Sequence, residues 1–185
     1  MSFTGPDPLS IERVVHTYLL AKDGNRPHLM RHAFAGHAQL QMQVRSENIA
    51  FPAASNGLAE ISEVLVRRFG QTYENVYTFC LQRPAASSRT FSCDWFVGMS
   101  DKASGAVRVG CGRYDWTFSE SAPHLAEHLL ITIDVMEILA PENLVSVSTW
   151  LAGLPYPWCS YEQMASSAPA IGELEPILTC LRLRC

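Results

Sequence analysis

Residues 11–45 carry the clearest hydrophobic pattern of the chain. A polar break at residues 23–25 separates a first helix from a second, short helix at residues 28–34, and residues 37–45 alternate polar and apolar side chains as a half-buried strand does. The apolar positions that share one face of the first helix are Ile11, Val14, Val15, Tyr18 and Leu19. We therefore expect a helix that turns back through a short helix and lies over a sheet.

Local start and stop signals set the bounds of the first and third helices. Asp7 followed by Pro8 is a typical helix start, because an Asp side chain caps free backbone N–H groups and Pro fits the first turn. Residues 56–57 predict the start of a third, amphipathic helix, and Gly70 is the expected cap at its end. Between these helices we expect a short paired strand at residues 47–51.

From residue 74 onward the hydrophobic period changes to two, which predicts strands. The expected strands are residues 74–82, 91–100, 106–118 and 125–139. Two short links, residues 84–88 and 101–105, have the composition of hairpin turns. Long strands joined by short links predict an antiparallel, strongly curved sheet, and helices followed by such strands predict an α+β fold.

The C-terminal part of the chain departs from this pattern. Residues 141–153 predict a short helix, residues 154–158 are too rich in proline for regular structure, and a last helix is expected to begin near Pro176. We therefore divide the chain into a main domain, residues 1–140, and a helical extension, residues 141–185, that packs on the same domain.

Composition and charge exclude several classes of partner. The net charge is -4 and no cluster of Lys or Arg is present, so a nucleic-acid partner is not expected. No apolar run reaches the ~20 residues of a membrane helix, and the first ten residues lack the segments of a signal peptide. The six cysteines form no Cys-x-x-Cys pair, which favours reduced, mostly buried thiols in a cytoplasmic protein without a membrane partner.

Several short motifs occur in a characteristic order. They are Val14-Val15-x-x-Tyr18, the break at residues 23–25, Phe34-Ala35-x-x-Ala38, Gly57 with Ile61, and Gly-Arg-Tyr-Asp-Trp-Thr-Phe at residues 112–118. Over about residues 9–139 the chain resembles the nuclear-transport-factor-2-like superfamily, and within it the SnoaL-like and ketosteroid-isomerase-like group. The resemblance implies a cone-shaped α+β fold (the cystatin-like α+β barrel), with the N-terminal helices on the concave face of the sheet around an apolar cavity. It also implies a homodimer, and acid–base chemistry on a small hydrophobic molecule without a metal or an organic cofactor.

The resemblance makes Tyr18 and Asp115 candidate catalytic residues. Tyr18 matches the Tyr of the first helix that donates a hydrogen bond to a developing oxyanion, although an aromatic ring of the helix core has the same position. Asp115, or its neighbour Tyr114, falls near a carboxylic acid that an apolar cavity keeps protonated. Strand parity leaves the choice open, because Asp115 shares a face with Arg113 and a bulge at residues 110–112 would shift the parity.

The carboxylate that moves the proton in the isomerases is missing, because its position is Met42. Two residues are candidates for a replacement base. His37 lies at the start of the first strand, either at the cavity mouth or simply on the surface. Asp134 lies in the middle of an apolar strand, where a carboxyl is costly unless it is functional or is paired, for example with an Arg.

Two histidine patterns resemble metal sites. Residues 124–128 have the His-x-x-Glu-His form of some zinc peptidases, but they sit at a turn into a strand, where the two imidazoles do not share a helical face. His28 and His32 are four residues apart on a short helix, and no further ligand is placed to complete them. We expect no metal site from either pattern.

Two functional classes remain. The first is a cofactor-independent isomerase, cyclase or dehydratase that uses Tyr18 with Asp115 or Asp134; the second is a non-catalytic protein that binds a small hydrophobic molecule or serves as a dimerisation scaffold. The missing carboxylate favours the second. The residues expected to line the pocket are Tyr77, Trp95, Tyr114, Trp116 and Met42. A cavity where two catalytic candidates meet would support the enzyme, and a cavity filled by side chains would support the scaffold.

Overall fold

The computed structural model describes residues 10–85 and 88–184. In these residues the α-helices are α1 (Ile11–Asp23), α2 (Gly57–Ser62), α3 (Phe69–Thr72), α4 (Leu144–Ala152), α5 (Tyr161–Ser166) and α6 (Glu175–Arg182). The strands are β1 (Phe34–Val44), β2 (Ala54–Asn56), β3 (Tyr73–Cys80), β4 (Thr90–Asp101), β5 (Val107–Phe118) and β6 (Ala126–Leu139). A π-helical segment, Glu63–Arg68, joins α2 to α3, and short 3-10 helices form at Pro27–His32, Pro141–Asn143 and Gly172–Leu174.

The first helix begins at a residue that can satisfy its free N–H groups. Ser10 is the N-cap, and its side chain accepts a hydrogen bond of 3.2 Å from the backbone N–H of Arg13. The start predicted at Asp7 and Pro8 lies outside the described residues. The helix buries the predicted apolar stripe against the sheet.

The third predicted helix is longer than its sequence signals indicate. It continues past Gly70 to Thr72, so Gly70 lies inside the helix and is not its cap. A Cβ atom at Gly70 would come within 2.6 Å of the Asn25 side chain. Glycine at this position therefore lets the turn after α1 pack directly against the helix.

The six strands form one sheet in the order β2-β1-β6-β5-β4-β3. The curved sheet and the α+β class confirm the predicted fold class. The sheet is not closed into a barrel, and β2 and β3 are its two edges. β1 and β6 run parallel, which corrects the expectation of a purely antiparallel sheet. The predicted strand at residues 47–51 is also wrong, because β2 is the segment that pairs with β1.

Bulges interrupt the antiparallel ladder between β5 and β6. The register shifts between Cys111 and Gly112, and again between Thr117 and Phe118. A bulge adds local twist and bends a strand, which suits a sheet that curves around a core. A side chain at Gly112 would collide with the carbonyl of Thr132 and with Trp95, so the bend depends on glycine.

The sheet separates two hydrophobic cores. The inner core lies on the concave face, between the strands and the helices formed by residues 11–32 and 57–72. The outer core lies on the other face, where α4 contacts β4 and α6 contacts β5 and β6. Its centre is a stack of rings in which Phe96 lies 4.7 Å from Phe79 and 6.0 Å from Trp150.

The helical extension is attached to the sheet by backbone as well as by side chains. The N–H of Cys80 donates to the carbonyl of Pro157 at 2.8 Å, and the N–H of Cys159 donates to the carbonyl of Cys80 at 3.1 Å. Helices α4 and α6 correspond to the two helices predicted in the extension, whereas α5 was not predicted. None of the helices in the described ranges is both long and apolar enough to cross a membrane.

Candidate functional site

A small pocket lies in the inner core, between the concave face of the sheet and α1. Its volume is about 40 Å³, and its wall consists mainly of aliphatic, methionine and aromatic side chains. The lining residues that carry a polar atom are Tyr18, Lys22, Thr78, Trp95 and Tyr114. An interior that is apolar with a few converging polar groups is the usual form of a small-molecule site.

Tyr18 is fully buried at the base of this pocket, where the stripe of α1 meets the sheet. Its ring packs edge-on against Trp116 and Phe34, at centroid distances of 5.3 and 5.7 Å. Its hydroxyl makes no hydrogen bond of full geometry within the described part of the chain, although the Tyr114 hydroxyl lies close enough to interact with it. Burial raises the pKa of Tyr18 far above its ordinary value, and the nearby charge of Asp23 adds to the effect. The group is therefore a neutral donor.

Trp95 and Tyr114 extend from β4 and β5 to the same concave face. Their rings stack at 5.5 Å, and burial also raises the pKa of Tyr114 well above its usual range. The indole Nε1–H of Trp95 is buried without a partner among the described residues. Buried donors without partners are uncommon in folded proteins and call for an explanation, such as a bound water or ligand.

A buried ionic network at the end of α1 was missed in the sequence. The Lys22 ammonium donates to Asp23 and to the hydroxyl of Thr78, both at 2.8 Å. Asp23 also accepts from the backbone N–H of Thr78 at 2.7 Å and from the Tyr156 hydroxyl at 3.0 Å. The signal was present, because Lys22 follows Tyr18 by four residues and thus falls on the apolar stripe of the helix.

The fold around this pocket matches that of solved structures. An NTF2-like superfamily protein from Salmonella enterica superposes with a TM-score of 0.56 at 14% sequence identity, covering 68% of this chain and 89% of that one. The chain has the nuclear-transport-factor-2-like fold. No family model and no curated protein matches its sequence.

Two further structures with this NTF2-like fold have names that indicate small molecules. BvnE pinacolase from Penicillium brevicompactum matches with a TM-score of 0.53 and 11% identity, over 75% of this chain and 92% of that chain. TerC, co-crystallized with polyporic acid, matches with a TM-score of 0.53 and 11% identity, over 69% and 92% of the two chains. At these identities the likeness shows the fold alone.

Within this NTF2-like fold, Asp115 lies outside the pocket. Tyr114 and Trp116 point to the concave face, so strand alternation directs Asp115 to the outer face. There its carboxylate, 38% exposed, contacts Arg113 at 3.4 Å and accepts a hydrogen bond from Ser92. The structure does not bring Asp115 and Tyr18 together.

Asp134 also lies on the outer face, because of the bulge between β5 and β6. The extra residue in β6 lets Asp134 and Val135 both leave the concave face between Ile133 and Met136. The Asp134 carboxylate contacts Arg45 at 2.7 Å and Arg184 at 2.8 Å. This is the pairing with arginine that was the alternative to a catalytic role.

The other candidates divide between the pocket and the surface. His37 is at the surface, with its side chain 77% exposed and 3.6 Å from Glu127. Met42, Trp95 and Tyr114 line the pocket, and their role in ligand binding stays a prediction. Trp116 packs against Tyr18 but does not line the pocket. Tyr77 belongs to the outer core, where the centre of its ring lies 6.5 Å from the centre of the Phe79 ring.

The histidine patterns do not form metal sites in the described ranges. No group of three or more His, Cys, Asp and Glu side chains there could hold a metal ion. His124 sits in a turn with a φ of 53°, and its ring contacts the carbonyl of Ser119 at 3.0 Å, whereas His128 lies in β6.

Proposed function

We propose that the pocket binds a small, largely apolar molecule through an oxygen atom that accepts a hydrogen bond from Tyr18. The observation that carries this proposal is the Tyr18 hydroxyl, which is buried and makes no hydrogen bond of full geometry in the described part of the chain. Leaving a buried donor unpaired costs about 1–3 kcal/mol, and an acceptor on a ligand would remove that cost.

The pocket must widen to admit such a molecule. Its volume of about 40 Å³ has room for only a few water molecules, whereas sites for drug-sized ligands are typically about 300 Å³ or more. The wall contains side chains that can move, because Met42, Met99 and Met136 line it and methionine adapts its shape readily. The NTF2-like neighbours whose names refer to a pinacolase and to polyporic acid are consistent with a small-molecule ligand.

The chemistry that this pocket supports best is hydrogen-bond donation. Tyr18 and Tyr114 are neutral donors that can polarise a carbonyl group or stabilise an oxyanion. Proton abstraction also needs an acceptor, and the lining side chains in the described ranges include no carboxylate or imidazole. We therefore place ligand binding ahead of isomerase, cyclase or dehydratase chemistry of the acid–base kind.

A scaffold without a ligand is the second candidate. The observation that favours it is the small volume of the pocket, since side chains fill most of the interior. In that case Tyr18 is simply an aromatic residue of the core, and the fold is stable despite the cost of its unpaired hydroxyl. Binding measurements distinguish the two.

The Tyr18→Phe variant tests the proposal, because it removes the hydroxyl and keeps the ring. We expect binding of acetophenone, which has an acceptor oxygen, to weaken about 2- to 10-fold, and binding of ethylbenzene, which has none, to remain unchanged. Ligand-observed NMR measures both. Tyr161→Phe is the matched control, because it removes a hydroxyl in the helical extension.

Two outcomes would count against the proposal. The first is that neither compound binds to the unaltered protein, which would favour the scaffold. The second is that Tyr18→Phe weakens both compounds equally, which would mean that the substitution changes the shape of the pocket and not a hydrogen bond.

A further inference from the structure

Lys22 places a positive charge at the wall of the inner pocket. Its side chain is only 8% exposed, and its ammonium lies 4.6 Å from the centre of the Phe69 ring, which also lines the pocket. An ammonium has three N–H groups, and two of them are used by Asp23 and Thr78. One N–H group thus has no oxygen acceptor among the described residues.

The negative charge that balances Lys22 lies on the other side of the wall. Asp23 does not line the inner pocket; it borders a separate depression on the outside of α1, next to Tyr77 and Tyr156. Its two oxygens accept four hydrogen bonds, which come from Lys22, from the N–H and hydroxyl of Thr78, and from Tyr156. The carboxylate is therefore occupied by donors outside the pocket, and the ammonium, not the carboxylate, lines the interior. The charge of Asp23 still reaches the pocket, because it contributes to the raised pKa of Tyr18 and of Tyr114.

The polar atoms that face the interior are almost all donors. The Tyr18 hydroxyl and the Trp95 indole N–H are buried and make no hydrogen bond of full geometry with the described residues, and the Lys22 ammonium adds a charged donor. The Thr78 hydroxyl along the described lining is already engaged on both sides, because it accepts from Lys22 and donates to Asp23. An oxygen-bearing anion would satisfy such a set better than a neutral molecule, because charge-assisted hydrogen bonds are the stronger kind.

We infer that the ligand of this pocket is an apolar carboxylic acid, bound as its carboxylate by Lys22 and Tyr18. This inference rests on the proposed function and narrows its ligand class. Asp23 and Tyr156 act as positioning residues: Tyr156 holds the Asp23 carboxylate, which in turn holds the ammonium toward the interior. The helical extension thereby contributes to a pocket that it does not line.

Benzoate and benzamide form a matched pair of probes, because they have nearly the same shape and benzoate is ionised at pH 7. We expect the unaltered protein to bind benzoate more tightly. In Lys22→Met we expect binding of benzoate to weaken about 10-fold or more, and binding of benzamide to change less than about 2-fold. Isothermal titration calorimetry or ligand-observed NMR measures both compounds.

A second variant covers the case in which Lys22→Met does not fold because Asp23 loses its partner. The double variant Lys22→Met/Asp23→Asn removes both charges and keeps an oxygen that can accept from Thr78 and Tyr156. We expect this double variant also to lose its preference for benzoate over benzamide. Circular dichroism confirms that the double variant is folded.

The positioning role of Tyr156 is tested separately, by comparing benzoate and benzamide binding in a Tyr156 variant. In Tyr156→Phe we expect benzoate binding to weaken about 2- to 10-fold while benzamide binding is unchanged, since only the ammonium is released. Tyr161→Phe, in the same extension, should change neither. Equal weakening of both compounds in Tyr156→Phe would show a general loss of structure and would overturn the positioning role.

The outcomes separate this inference from the proposed function. If benzamide binds as tightly as benzoate, or if acetophenone binds and benzoate does not, the carboxylate inference fails and the pocket proposal stands. If acetophenone, benzoate and benzamide all fail to bind, both fail.

Discussion

At the scale of single residues, burial holds three cysteine thiols, Cys80, Cys111 and Cys159, in their unreactive form. Five cysteines in the described ranges are free, and all but Cys180 are buried. Burial raises the pKa of Cys80 and Cys111, and it raises the pKa of Cys159 to about 11. Because the thiolate is the nucleophile, a raised pKa lowers the reactive fraction at neutral pH.

We therefore predict that Cys159 reacts slowly with iodoacetamide in the native protein at pH 7.5, and more slowly than the partly exposed Cys180. Below its pKa the thiolate fraction rises about tenfold for each unit of pH, so labelling of Cys159 should accelerate between pH 7 and 9 while the fold is retained. Peptide mass spectrometry measures each site. Labelling of Cys159 as fast as that of Cys180 at pH 7.5 would show that its environment is not apolar.

At the scale of the elements, one arginine near the end of the chain, Arg184, forms ion pairs with two strands of the sheet. Arg184 follows α6, and its guanidinium lies 3.1 Å from Asp94 of β4 and 2.8 Å from Asp134 of β6. Both carboxylates are more than nine-tenths buried. Each retains one other arginine, Arg113 for Asp94 and Arg45 for Asp134, so loss of Arg184 would not leave them without any cation.

We predict that Arg184→Gln lowers the free energy of unfolding by about 1–3 kcal/mol, less than the roughly 3–5 kcal/mol for a buried charge that loses its only partner. Urea denaturation measures it. Arg182→Gln is the control, because Arg182 is exposed and makes no ion pair with the described residues. An equal effect of the two substitutions would mean that the contacts of Arg184 add nothing to stability.

The same elements show which features the sequence could predict. Long periodic segments such as α1, β4 and β6 were predicted within a few residues, because their period is repeated many times. The three-residue strand β2 has no period, and the parallel pairing of β1 with β6 depends on two segments that are far apart in the chain. In the pocket, the helix stripe predicted that Tyr18 is buried, and the family resemblance made it a candidate site residue. A bulge at residues 110–112 was anticipated, but the sequence did not show that the extra residue lies in β6, which decides the side to which Asp134 points.

At the scale of the whole molecule, the helical extension covers the apolar part of the outer face of the sheet. Phe79, Phe96 and Val109 of the sheet pack there with Trp150 and Ile177 of the extension. The homodimer expected from the family resemblance stays a prediction. A second copy would meet the uncovered remainder of the outer face, where β1 exposes Gln39, Gln41 and Gln43.

We predict that removal of residues 141–185 produces a protein that aggregates and binds the dye ANS, because the apolar outer core becomes exposed. Size-exclusion chromatography with light scattering, on both chains at one concentration, measures the assembly and also reports whether the full-length chain is a dimer. A truncated chain that stays monodisperse, with the near-ultraviolet circular dichroism of the full-length protein, would show that the extension is dispensable for the fold.

The hydrogen bonds that join Cys80 to Pro157 and Cys159 affect how the protein behaves at high concentration. A sheet with two free margins can grow by adding strands from other molecules. Here the end of the β3 margin is occupied, because Cys80 pairs with the extension and the N–H of Thr78 donates to Asp23. The opposite margin, β2, is only three residues long. The β3 border therefore keeps vacant amide groups only over its first part, which shortens the template for fibril-like growth.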